Sequence, residues 1–337
     1  MTSPSTVSIV IVNWNSAAYT AACVSSIRAE TEDLQYEIIV VDNWSTDDSV
    51  EVLKQIPGIR LIVSPTNLGF ARANNLGYQQ SSGDVLLFLN PDTNVQGPAI
   101  SRMRDALLSG STFGIVGCKL LNTNLSLQTS CVQSFPTILN QLADAEALKA
   151  RFPKLRMWGI SALFEESHSP VPVEVVSGAC LMIRRETFQK VGMFSTDYFM
   201  YGEDVDLCHM VAQAGLQIGY VARATVIHHG GQSSKKRDDL FFGDVVTREN
   251  IRLFLARTRG TPYAGMYRWA MSVAAMLRLL LLNVVAPSWL GMDREDASAV
   301  KRKWKRILRW SLGRERWVNE LNGTGSVPTQ AATVEVA

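Results

Sequence analysis

Four short runs of almost unbroken apolar residues constrain this chain more than any other feature: VSIVIVN at Val7–Asn13, EIIVVD at Glu37–Asp42, Ile59–Val63, and VLLFL at Val85–Leu89. Each is followed by a stretch of helical character, and strands buried on both faces read in this way. The alternation predicts an α/β fold with a parallel sheet and right-handed crossovers. The loops after Asn13, Asp42, Val63 and Leu89 then share the carboxyl edge, where such sheets bind their ligands. With 337 residues and 47% apolar content, the chain fills a sizeable core without covalent staples. The five cysteines are odd in number and widely spaced, so they read as buried thiols in a reducing compartment.

The rhythm changes after Phe113, where short strands, a turn at Pro136, a helix near Ile138–Ala150 and a loop at Glu165–Pro172 are expected. A second stretch rich in functional groups runs from Val175 to Ser234. It carries strands at Ala179–Arg184 and Leu216–Val221 around a helix from about Val205 to Ala214. The predicted organisation is a catalytic domain over 1–260, with a nucleotide-binding half at 1–112 and an acceptor half at 113–260. A helical membrane-associating region at 261–318 and a disordered tail at 319–337 complete it. Met1–Thr6 lacks the features of a secretory signal, which places the catalytic part in the cytoplasm as an expectation.

Five clusters carry chemistry. Asn90-Pro91-Asp92-Thr93 follows VLLFL directly and puts Asp92 at the carboxyl edge, where Mg²⁺ or Mn²⁺ bridging a diphosphate needs only one or two protein carboxylates. The same turn can also end a strand and hold nothing. Gly202-Glu203-Asp204-Val205-Asp206 sets three acids at a helix start; such acids cap helices, but capping accounts for one of them. Like charges this close raise one another's pKa and favour a proton acceptor. His228-His229-Gly230-Gly231-Gln232-Ser233 offers at most one histidine to a given site, because adjacent strand residues face opposite ways. Asn67–Gly77, with Arg72 and Asn75, and Asp42–Asp47, with Asp42 and Asn43, place polar groups at helix entrances. Neither G-x-x-x-x-G-K-[ST] nor G-x-G-x-x-G occurs, so phosphate-loop and dinucleotide sites are excluded.

Taken in order, VSIVIVNWNS, VVDNWSTDDS, NLGFARANNLG, LLFLNPDT, VSGACLMIRRETF, YGEDVDLC and HHGGQS resemble glycosyltransferase family 2 over roughly residues 7–235. The resemblance implies the inverting GT-A fold, a Rossmann-like, mostly parallel sheet flanked by helices. NPD and LQTSCVQSFPT further resemble bacterial rhamnosyltransferases of cell-surface polysaccharide synthesis, implying dTDP-L-rhamnose as donor and a glycan or polyprenyl-diphosphate-linked acceptor. By the same resemblance Asn13, Asp42 and Asn43 contact the nucleotide, and Asn67, Arg72, Asn75 and Asn90 lie along the donor. Asp92 and His228 meet the metal, Ser177, Gly178 and Glu203 flank the sugar or acceptor, and Asp204 is the base. The alternatives are another donor, UDP-galactofuranose or UDP-GlcNAc, or a non-catalytic sugar-nucleotide scaffold.

The formal charge of +2 argues against a nucleic-acid partner, yet Arg294–Arg316 holds nine basic against three acidic residues. Trp269–Leu290 is long enough to span a bilayer, but Arg278 near its middle would cost about 2.5–3.5 kcal/mol there. Arg268, Ser272, Arg278 and Asn283 fall within an arc of roughly 140° on a helical wheel. A helix lying in the interface fits better, followed by a basic amphipathic helix for anionic headgroups. The expected location is peripheral, at the cytoplasmic face of the inner membrane, with an oligomer left open.

Overall fold

The computed structural model describes residues 5–31, 34–110, 112–143, 149, 151–165, 167–230, 242–285, 293–318, 321 and 332–335. They form two compact units, residues 1–135, 152–236 and 325–337 in the first, and 136–151 with 237–324 in the second. The helix at 242–259 therefore belongs to the second unit, although the sequence placed it in the catalytic domain.

The first unit opens with β1 (Val7–Asn13), α1 (Ala17–Glu30), β2 (Tyr36–Asp42), α2 (Ser49–Leu53), β3 (Arg60–Val63), α3 (Gly69–Gln79) and β4 (Val85–Leu89). β1 pairs with β2 and β4, and β2 with β3, all in parallel, as the apolar runs require. Every residue of β1 and β4 is buried. Val12, Ile39, Val41 and Ile62 from the sheet pack against Leu68, Ala73 and Leu76 of the loop and helix above them.

Then come β5 (Thr93–Gln96), α4 (Ala99–Leu108), β6 (Phe113–Leu121), β7 (Val132–Gln133), β8 (Val171–Val173), β9 (Val175–Val176), β10 (Cys180–Arg184), α6 (Arg185–Lys190), α7 (Glu203–Gln213) and β11 (Gln217–His228); α5 (Ile138–Leu142) lies in the second unit. β12 (Ala332–Glu335) pairs antiparallel with β3, so part of the tail expected to be disordered is a strand. Among the described residues the sheet runs β12-β3-β2-β1-β4-β10-β6-β11-β5, with β8 against β11. β10 is antiparallel to both β4 and β6, which makes the sheet mixed. The five cysteines are free and buried.

The second unit contains α5, α8 (Phe242–Arg259), α9 (Thr261–Val284) and α10 (Arg294–Ser311). Among the described residues α9 is the one helix long and apolar enough to cross a membrane. Arg268, Ser272 and Arg278 of its polar stripe turn inward, while Asn283 is exposed. Arg268 donates to the carbonyls of Trp310 and Ser311, and Arg278 stacks over the Trp304 ring at 4.2 Å while donating to the Leu142 carbonyl. Trp269, Leu277, Leu280 and Val284 are exposed, Trp269 by 70% and Val284 by 76%. Buried Glu249 accepts from Trp310 Nε1 at 2.9 Å and from Arg252, holding α8 to α10.

Candidate active site

Register brings the polar strand ends together, because Asn13 lies opposite Asp42 and Ile11 opposite Leu89, one residue before Asn90. Asn13 is fully buried and its amide is fully engaged. Nδ2 donates to Asp42 Oδ1 at 2.8 Å and to Ser45 Oγ at 3.2 Å, while Oδ1 accepts from Ser16 and Thr20. Asn13 thus aims Asp42 and closes the β2–α2 loop; a base or ribose would meet Asp42 instead. Asp42 also accepts from the Ser45 hydroxyl at 2.6 Å and the Ser45 N–H at 3.1 Å. Asn43 accepts from the Leu68 N–H and donates to Asn67 Oδ1 and the Gly69 carbonyl, which ties this loop to the entrance of α3.

Arg72 and Asn75, expected along the donor, grip another part of the chain. Asn75 exchanges both amide bonds with the backbone of Phe194, and Arg72 donates to the Thr196 carbonyl at 2.6 Å. Burial lowers the Arg72 pKa, and nearby Asp197 works against that shift. The Phe199 carbonyl accepts from the Phe70 N–H at 2.7 Å, and a Cβ on Gly69, whose φ is +73°, would sit 2.2 Å from that oxygen. Glycine is required there on both counts. These contacts anchor the segment leading into α7, where Tyr201 at φ +70° and Gly202 at φ +96° turn the chain sharply.

The acids of that turn divide. Glu203 is buried, its Oε2 has no hydrogen-bond partner, and burial, with the neighbouring Asp204 charge, pushes its pKa up to about 8. It faces the interior rather than an acceptor. Asp204 is partly exposed; Oδ2 accepts from the Gly178 N–H at 2.9 Å and Oδ1 from the Val205 N–H at 2.8 Å. Burial raises its pKa, and the backbone N–H groups of Gly178 and Val205 offset part of the rise. Glu203 carries a linkage consequence. Between its ordinary value near 4.5 and about 8 the folded state holds a proton that the unfolded chain has released. Stability therefore falls as pH rises through that window. Glu203→Gln should remove the fall, raising the melting temperature over wild type by about 3 °C or more at pH 8 and little at pH 4.5, read by scanning calorimetry at both pH values.

A short backbone bridge joins Asp204 to the other cluster. Gly178 donates to Asp204, and the carbonyl of the next residue, Ala179, accepts from the Asn90 N–H at 2.9 Å. Consecutive Cα atoms lie about 3.8 Å apart, so the Asn-Pro-Asp turn and Asp204 flank one stretch of backbone. Ser177 stands beside it, its hydroxyl accepting from the Ala179 N–H.

On the far side of the turn, His228 Nε2 lies 3.3 Å from Asp92 Oδ1 and 3.2 Å from Asn90 Nδ2. Gln128, not singled out among the site residues, orients that histidine. Its Nε2 donates to Asn122 Oδ1 at 3.1 Å, so its oxygen faces His228 Nδ1 at 2.8 Å. An amide oxygen only accepts, so Nδ1 donates to Gln128 and Nε2 is the ring nitrogen turned towards Asp92 and Asn90. Gln128 lies within the LQTSCVQSFPT stretch, but its place beside His228 comes from the return of β6 beside β11. A ring nitrogen facing a carboxylate oxygen at this distance has the spacing of adjacent ligands of a hard dication, whose bonds run near 2.1 Å. His229 is held elsewhere, its N–H on the Asp92 carbonyl and its ring edge-on to Tyr19, so His228 is the histidine at the site. Among the described residues no group of three or more His, Cys, Asp or Glu side chains could hold a metal, so a cation at Asp92 and His228 would need further ligands from elsewhere. Gly231, Gln232 and Ser233 lie outside the described residues.

Comparison with known proteins adds to this geometry. A family model described as Glycosyl transferase family 2 matches residues 8–192, and one described as Glycosyl transferase family group 2 matches 137–327. A Mycobacterium tuberculosis protein named N-acetylglucosaminyl-diphospho-decaprenol L-rhamnosyltransferase is 27% identical over 288 residues, covering 81% of this chain and 92% of its own. Rhamnosyltransferase WbbL of Escherichia coli K12 is 26% identical, covering 67% of this chain and 84% of its own. Among solved structures, the mannosyltransferase PcManGT of Pyrobaculum calidifontis, in complex with GDP-Man and Mn²⁺, superposes with a TM-score of 0.56 at 14% identity, over 94% of this chain and 88% of that one. GalNAc-T7 with UDP, GalNAc and Mn²⁺ does so with a TM-score of 0.59 at 16% identity, over 94% of this chain and 57% of that one. At these identities the structural matches speak for the fold.

Proposed function

Since the chain belongs to glycosyl transferase family 2 and is a glycosyltransferase, we propose that it moves L-rhamnose from dTDP-L-rhamnose, with inversion, onto a polyprenyl-diphosphate-linked glycan. The names of the two rhamnosyltransferase relatives support the sugar, and that of the mycobacterial one supports the acceptor. The observation that supports this reading most is the Gly178–Ala179 bridge, whose adjacent residues bond Asp204 and the Asn90 N–H. Asp92 and His228 would hold Mg²⁺ or Mn²⁺, which supplies charge neutralisation of the leaving diphosphate when bound. Asp42 orients the nucleoside. Asp204 accepts the proton of the acceptor hydroxyl as its oxygen attacks the anomeric carbon from the face opposite the diphosphate. Gly178 holds the carboxylate at the required angle. Incubation with dTDP-L-rhamnose, UDP-galactofuranose and UDP-GlcNAc, each with Mn²⁺ and a polyprenyl-diphosphate-linked N-acetylglucosamine, tests this reading. Acceptor-dependent release of dTDP alone is expected; release from a UDP-sugar alone overturns the donor assignment.

The second unit supports peripheral membrane binding, which we propose to be at the cytoplasmic face. α9 pairs its arginines inward and exposes Met266, Trp269, Met276, Leu277, Leu280 and Val284, while α10 bears Lys301, Arg302, Lys305 and Arg309. An apolar face with cations beside it suits an anionic bilayer surface. The full-length protein should co-sediment with phosphatidylglycerol-containing liposomes and not with phosphatidylcholine ones, and Trp269→Glu with Leu277→Glu should reduce the bound fraction at least about tenfold. Equal sedimentation of that double variant would defeat the reading.

A further inference from the structure

Trp44 stands in the left-handed region at φ +66°, a conformation that glycine or asparagine adopts freely and a bulky side chain does not. The neighbours leave it no choice. Asn43 is tied to Asn67, Leu68 and Gly69; Ser45 is bonded to Asp42, Asn13 and the Asn15 N–H; the Thr46 N–H is held by Asn15 Oδ1 at 2.8 Å. Locked on both sides, residue 44 bears the strain alone. Folding recovers little for it, since the indole is 51% exposed and outside the core. A strained, exposed tryptophan two residues beyond the end of β2 is a liability to the fold, and such outliers collect where a ligand uses them. The position is at the carboxyl edge, next to buried Asp42, on a loop that six named hydrogen bonds make rigid.

We infer that the Trp44 indole forms a wall of the nucleoside pocket and packs its face on the donor's nucleobase. An indole is the largest flat apolar surface a side chain offers, and stacking accepts any base because every base has a π face. Specificity for thymine then falls to polar groups such as Asp42, while Trp44 sets affinity. A rigid loop makes the platform ready before the donor arrives, so little ordering is needed on binding. The inference rests on the nucleotide-sugar reading above and deepens it.

The test uses the full chain with Trp44→Gly and Trp44→Phe. Trp44→Gly should melt at or above the wild-type temperature, because the strain is gone. Its affinity for dTDP and UDP, measured by calorimetry with Mn²⁺, should fall about tenfold or more, with Trp44→Phe in between. Affinity for inorganic diphosphate with Mn²⁺ should stay at the wild-type level, since the indole contacts no phosphate. At saturating donor, turnover should be preserved while KM rises. Trp44→Gly binding dTDP and UDP as tightly as wild type overturns the inference, as does an equal loss of diphosphate affinity, which would signal a collapsed loop. Failure of the wild type to bind any nucleoside diphosphate is a different outcome and overturns the nucleotide-sugar reading itself.

Discussion

Asp204→Asn is expected to lower turnover at least about a hundredfold while leaving donor affinity nearly unchanged, the signature of a lost proton acceptor. The carboxylate accepts one backbone N–H on each oxygen, from Gly178 and Val205. Asparagine keeps only one of these acceptors, so a stability loss of about 1 kcal/mol should accompany the change. A second readout separates chemistry from that structural loss. Burial raises the Asp204 pKa, so the wild-type rate should rise with pH through a value above the usual carboxylate range, as the base form appears. The variant should lack that rising limb and keep a flat, low profile. Wild-type turnover in the variant, or an unchanged acidic limb, would remove Asp204 from the role.

Asp92→Ala should cut turnover by about two to three orders of magnitude, because neutralising a leaving diphosphate is worth several kcal/mol. Here too a measurement apart from activity is decisive. Mn²⁺ titration followed by electron paramagnetic resonance in the presence of dTDP should show weaker metal binding in the variant, while melting changes modestly. Asp92 lies 3.3 Å from His228 Nε2, so His228→Ala should weaken the same titration, and the double variant should be little worse than either single one. Strict additivity would mean the two side chains serve separate sites. Asn90 beside them brings a neutral amide where a second carboxylate would bind more tightly, so wild-type metal affinity should itself be modest.

The sheet's first half was legible because β1–β4 are continuous apolar runs that only burial on both faces explains. Asp42, Asp92, Asp204 and His228 were legible as polar groups where such runs stop or a helix begins. The roles of Asn13, Arg72 and Asn75 were not. Whether a polar side chain faces a cleft or a neighbouring backbone depends on contacts 119–124 residues away, such as Asn75 with Phe194 and Arg72 with Thr196. Glu203 and Asp204 are adjacent and chemically alike, and only the helix start decides that one is buried and the other accepts from Gly178. Gln128 lay in a quoted stretch, LQTSCVQSFPT, but its pairing with His228 was not legible because that partner is 100 residues on.

β10 lies between β4 and β6 and is antiparallel to both, though it follows β6 by some sixty residues in the chain. Synthesis therefore delivers the two flanking strands long before the one that separates them, and until Cys180–Arg184 emerges each offers an open edge of unpaired N–H and C=O groups. A truncated or proteolysed product ending ahead of that strand would be sticky rather than half-active.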